Sequence, residues 1–73
     1  MPEEILKELR EKYKPGTLVL LEKMDDAMAP PIKTRGTVTS VDDIGTIHVN
    51  WETGSSLGVV YGEDRVSVIS EGR

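Results

Sequence analysis

Thr46-Ile47-His48-Val49-Asn50-Trp51 is the segment on which the fold turns. Its apolar residues Ile47, Val49 and Trp51 alternate with Thr46, His48 and Asn50, the period of a strand with one buried and one wet face. Turns that carry glycine close it on both sides, Asp42-Asp43-Ile44-Gly45 before it and Glu52-Thr53-Gly54 after it. Working backwards, Arg35–Val41 reads as the preceding strand. Val38 and Val41 break strict alternation there, which predicts a bulge near Thr39-Ser40. Working forwards, Ser56–Val60 reads as a strand with Leu57 and Val59 inward, and Val66–Ile69 as the last strand. Tyr61-Gly62-Glu63-Asp64 has room between them for one 3₁₀ turn.

Thr17–Glu22 is the first strand, and both of its faces are apolar: Val19 and Leu21 on one, Leu18 and Leu20 on the other. A strand of a small barrel has one wet face, so this one needs a second cover. Residues 1–14 supply a candidate. Pro2-Glu3-Glu4 suits a helix start, and Ile5, Leu6, Leu9 and Tyr13 follow at helical spacing. Lys12 and Lys14 fall where the helix ends, before Pro15-Gly16. A helix this short is marginal alone and has to dock. The expectation is that it packs on Leu18 and Leu20 while Val19 and Leu21 fill the barrel; the opposite parity is the alternative. Five short strands in residues 15–70 make a mainly β unit, and closure into a barrel disposes of both sheet edges. Residues 71–73 are expected to fray.

With 73 residues the chain makes one domain and buries only about 60% of its unfolded surface. There is no cysteine, which removes disulfides, thiolate zinc sites and thiol nucleophiles, and His48 is the only histidine. No apolar run approaches the roughly 18 residues of a membrane span. Met1-Pro2-Glu3-Glu4 is the opposite of a basic signal-peptide start, so the expected setting is cytoplasmic, with no membrane partner. The net charge is −4. Four acids and four bases cancel in residues 1–14, so the whole −4 falls on residues 15–73, with nine acids and five bases. That field repels phosphates and disfavours nucleic acid.

The order of elements resembles an SH3-like or KOW-like barrel: five short strands, a long first loop and a 3₁₀ turn before the last strand. Pro15-Gly16-Thr17, Met24-Asp25-Asp26, Ala29-Pro30-Pro31, Gly36-Thr37-Val38, Val41-Asp42-Asp43, Gly45-Thr46-Ile47-His48-Val49, Trp51 and Gly54-Ser55-Ser56-Leu57-Gly58 together resemble one small bacterial family of unknown function. It is frequent in Firmicutes, phages and mobile elements. The resemblance spans roughly residues 9–69, and Tyr61 and Glu63 fall outside its pattern. It implies a five-stranded SH3-like barrel and a genomic neighbourhood, with no reaction and no catalytic residues.

The chemistry-bearing side chains have plain readings. Asp25-Asp26 and Asp42-Asp43 are adjacent pairs without the alternating ligands of a calcium loop, and turn hydrogen bonding explains them better than metal binding or a catalytic dyad. His48 faces outward with no nucleophile placed by a motif. Ser55-Ser56 lacks a nucleophile elbow, and Gly54-Ser55-Ser56-Leu57-Gly58 is too short for a phosphate loop and lacks its lysine. No catalytic residue, cofactor or metal is expected.

The expected function is therefore a non-catalytic binding module for an unidentified protein partner. Its candidate contacts are Met24, Asp25, Asp26, Met28, Pro30 and Pro31 in an apolar loop, with Trp51 and Tyr61. Trp51 is read either as a core plug or as an aromatic floor beside that loop. So small a core also allows a homo-oligomer. The alternative is a nucleic-acid-associated barrel, which requires Lys33, Arg35 and Arg65 on one face. A third reading is a small-ligand pocket between subunits.

Overall fold

The structure is a computed structural model that describes residues 1–71. Its elements are α1 (Glu3–Lys12), β1 (Leu18–Lys23), β2 (Arg35–Val41), β3 (Thr46–Trp51), β4 (Val59–Val60) and β5 (Arg65–Ser70). The five strands form one antiparallel sheet in the order β4-β3-β2-β1-β5. β4 and β5 are the two edges and no ladder joins them, so the sheet is not a closed barrel.

Alternation places the core as the sequence implies. Val19, Leu21, Val38, Ile47, Val49, Trp51 and Val59 are buried in one cluster, with Val66 and Val68 of the far edge packed against it. The bulge in β2 falls between Val38 and Ser40, which pair with Val49 and His48. Trp51 stands opposite Gly36, where an added Cβ would lie 2.6 Å from the indole Cε3 and 2.4 Å from Val49 Cγ1. Only glycine lets the ring lie flat there. Gly45 has φ +84 and its N–H donates to Asp42 O at 3.1 Å, the left-handed position that closes the β2–β3 turn.

The helix departs from expectation. Ile5, Leu9 and Tyr13 lie at i, i+4 and i+8, and Leu9 and Tyr13 are buried in the same cluster as Val19 and Leu21. Leu18 remains 41% exposed and Leu20 is only half-buried, so α1 does not cover the second face of β1. It docks instead on the inner side, against β2 and the β2–β3 turn, and faces β4 and the start of β5 across an open groove. Burying Leu9 and Tyr13 contributes about 2–3 kcal/mol each, more than a ten-residue helix can supply by itself. Pro2 closes the N-terminus without a side-chain cap. Arg10 donates to Asp43 at 2.7 Å and ties the helix to the β2–β3 turn.

β4 is shorter than the expected Ser56–Val60. Leu57 O accepts the Trp51 indole N–H at 3.0 Å, and Ser55 O accepts the Trp51 backbone N–H at 2.9 Å. The Ser55–Leu57 segment thus wraps over the tryptophan and starts no ladder until Val59. Before β5 the Val60 carbonyl accepts N–H groups from Glu63 and Asp64 in a tight turn whose Gly62 has φ +87, so this is a glycine turn in place of the expected 3₁₀ turn, which needs negative φ throughout. Of the tail expected to fray, residues 72 and 73 lie outside the described residues. Among the described residues no helix is long and apolar enough to cross a membrane.

Candidate functional site

The Met24–Lys33 loop divides into an inner and an outer half. Met24 packs against the core and Pro30 is buried, so these two cap the sheet. Asp26 Oδ1 accepts the Met28 N–H at 2.8 Å, and its own carbonyl accepts the Ala29 N–H at 3.0 Å, a local turn that presents Met28 outward. Met28 is 76% exposed, beside Ser55–Leu57. Asp25 and Pro31 are exposed as well. Trp51 is only 3% exposed, so it is a core plug and offers this loop no aromatic floor.

The carboxylates are occupied by turns. Asp42 Oδ1 accepts N–H groups from Ile44 (3.1 Å) and Thr46 (2.9 Å), and Oδ2 meets His48 Nε2 at 2.9 Å. The His48 hydrogen bond, with those backbone donors, holds the Asp42 carboxyl below its ordinary value. Asp43 pairs with Arg10. Among the described residues, no group of three or more His, Asp or Glu stands close enough to hold a metal ion.

The three basic residues of the nucleic-acid alternative converge. Lys33 Nζ lies 2.5 Å from Glu22 Oε1, Arg35 stands opposite Leu20, and Arg65 stands opposite Lys23 and within electrostatic reach of Glu22. Hydrogen bonds from Lys33 and then Ser67 hold the Glu22 carboxyl below its ordinary value. These residues share the outer face of β1.

A concavity of another kind lies elsewhere, along the unjoined edges. Val60 spends both backbone groups that face the gap on its own turn: its N–H donates to Asp64 Oδ2 at 2.9 Å, and its carbonyl takes Glu63 and Asp64. β5 therefore cannot ladder onto β4. What remains is a groove of about 490 Å³ with α1 as one wall and residues 61–66 as the other. Its floor is apolar, from Ile5, Leu9, Ile47, Val59 and Val66. Glu8 and Lys12 stand on the helix wall, and Tyr61, Asp64 and Arg65 on the other. Tyr61 is half exposed at the rim and is the one expected partner contact that lines this groove.

A family profile described as a domain of unknown function, DUF4314, matches residues 2–69. The chain belongs to the DUF4314 family. No curated protein matches it, and no solved structure does. The DUF4314 span runs from the helix through β5, so it contains both walls and the floor of the groove. The helix wall was missed in the sequence. Its signal was there: Ile5, Leu9 and Tyr13 form one stripe, and Val66 and Val68 share the parity that faces it.

Proposed function

We propose that this DUF4314 chain is a non-catalytic binding module for a protein partner, built on a partly opened SH3-like barrel. It accepts an extended, apolar-bearing segment between α1 and the 61–66 turn. One observation carries the reading: an apolar groove of about 490 Å³, rimmed by both signs of charge, beside β5, an edge strand that pairs with β1 only. An extended segment suits such an edge because it supplies backbone donors and acceptors as well as side chains. Support for the SH3-like description is the way both edge strands, through Val59, Val66 and Val68, meet one core. The proposed setting is the cytoplasm of a bacterium or of a host to its phages and mobile elements.

A photo-crosslinking residue in place of Tyr61 tests the site, with the same residue at the exposed turn position Thr53 as reference. The expected result, in cells, is a discrete adduct from position 61 with none from position 53. Equal labelling at both positions, or none at 61, contradicts the reading. An adduct of twice the monomer mass identifies a second copy as the occupant.

A further inference from the structure

Of the five bases of residues 15–73, those among the described residues are not scattered. Four of them, Lys23, Lys33, Arg35 and Arg65, stand around one part of the outer sheet face, at the ends of β1 and β5 and the start of β2. Glu22 lies among them, already held by Lys33 and Ser67, and Glu52 lies beside Arg35, to whose carbonyl it donates its N–H. Four cations against Glu22 and Glu52 make this a basic island on a chain of net charge −4; Asp64, beside Arg65, is taken by the Val60 N–H, and Asp25 lies beyond Lys23 in the loop.

Through the island runs the apolar surface that the helix leaves bare. Leu18 is 41% exposed and Leu20 is half-buried. Ile69, in the register shift opposite Leu18 and Val19, is 50% exposed. β1 is flanked by β2 and β5 on both sides, so this is a sheet face and not a ragged edge.

We propose that the outer face of β1 docks an acidic protein segment whose apolar side chains lie on Leu18, Leu20 and Ile69 between Arg35 and Arg65. Charge complementarity selects the acidic partner, and the leucines select one with apolar side chains. Nucleic acid fits less well. Trp51 and Tyr13 are buried and Tyr61 lines the groove, so none of the three stands ready to stack bases here. Phosphates also have nothing to set against Leu18 or Ile69. A second copy meeting this face symmetrically brings like charges together.

Titration of a fluorescein-labelled peptide of alternating Glu and Leu with the full chain, read by anisotropy, tests the proposal. Saturable binding is expected, weaker by about tenfold or more in Arg35→Glu and, separately, in Leu18→Ser. Leu18→Ser leaves the charge unchanged, so its effect separates apolar docking from ionic attraction. Both positions are exposed, and an unchanged unfolding midpoint shows that each variant is folded. Absence of binding, equal affinity for a peptide of alternating Lys and Leu, or full affinity in Leu18→Ser overturns the proposal. Tighter binding of a single-stranded DNA oligonucleotide overturns it in favour of nucleic acid. A dimer mass that Leu18→Ser abolishes overturns it in favour of a second copy. Arg65 adjoins both sites, but Leu18→Ser and Arg35→Glu alter only residues outside the groove, so failure here leaves intact the groove reading that the crosslink at position 61 tests.

Discussion

The β2–β3 hairpin and the gap between β4 and β5 are built on opposite principles. In the hairpin, each residue of Thr46–Trp51 has its face set by alternation and its partner set by a short turn, so local sequence fixes register. At the unjoined edges, β4 starts only at Val59 because Ser55–Leu57 wraps over Trp51, and a helix from the far end of the chain walls the opening. Local pattern closes one region and long-range packing closes the other. The region closed by packing is the one with a groove.

Gly36→Ala strikes the hairpin hardest. Its Cβ would meet Val49 and Trp51 well inside contact distance, where both are locked in the core. Overpacking of this kind costs about 1–3 kcal/mol, which lowers Tm by roughly 5–20 °C for a domain of this size. A thermal melt followed by circular dichroism measures it; an unchanged Tm would mean that the indole does not lie over Gly36.

A smaller effect sharpens the comparison at the hairpin's turn. Asp42 is held below its ordinary value of 3.8, first by His48 and then by the Thr46 and Ile44 N–H groups. The folded form therefore binds that proton less readily than the unfolded form, and the contribution is fully present above the ordinary value. It is lost as pH falls through the lower folded value. Glu22 acts in the same direction from its ordinary 4.5. In Asp42→Asn, the fall of the urea midpoint between about pH 5 and pH 2 should be shallower than in the parent chain. An identical slope would show that the carboxylate in this turn contributes nothing.

Much of this was legible in the sequence. The bounds of β2 and β3, the bulge after Val38 and the inward parity of Val19 and Leu21 follow from period-two patterning. Two things were not. The stripe of Ile5, Leu9 and Tyr13 says that the helix docks, but an apolar face carries no address; Leu18 and Leu20 look like the vacancy, while the actual seat is the inner face of the sheet, beside a β4 that starts late. That late start depends on the Trp51 indole N–H donating to the Leu57 carbonyl, a contact that no periodicity announces. The basic island was equally invisible, since Lys23, Lys33, Arg35 and Arg65 come together only through the pairing of β1 with both neighbours.

The most direct test of the central claim, that α1 packs on the inner face of the sheet, is a pair of double-mutant cycles on folding stability. One joins Leu9→Ala to Val59→Ala, residues of the same core cluster that line the same groove. The other joins Leu9→Ala to Leu20→Ala on the opposite face of the sheet. The account predicts a coupling of about 0.5–3 kcal/mol for Leu9 with Val59, and additivity within about 0.5 kcal/mol for Leu9 with Leu20. Coupling to Leu20 with additivity at Val59 would place the helix on the outside and contradict it.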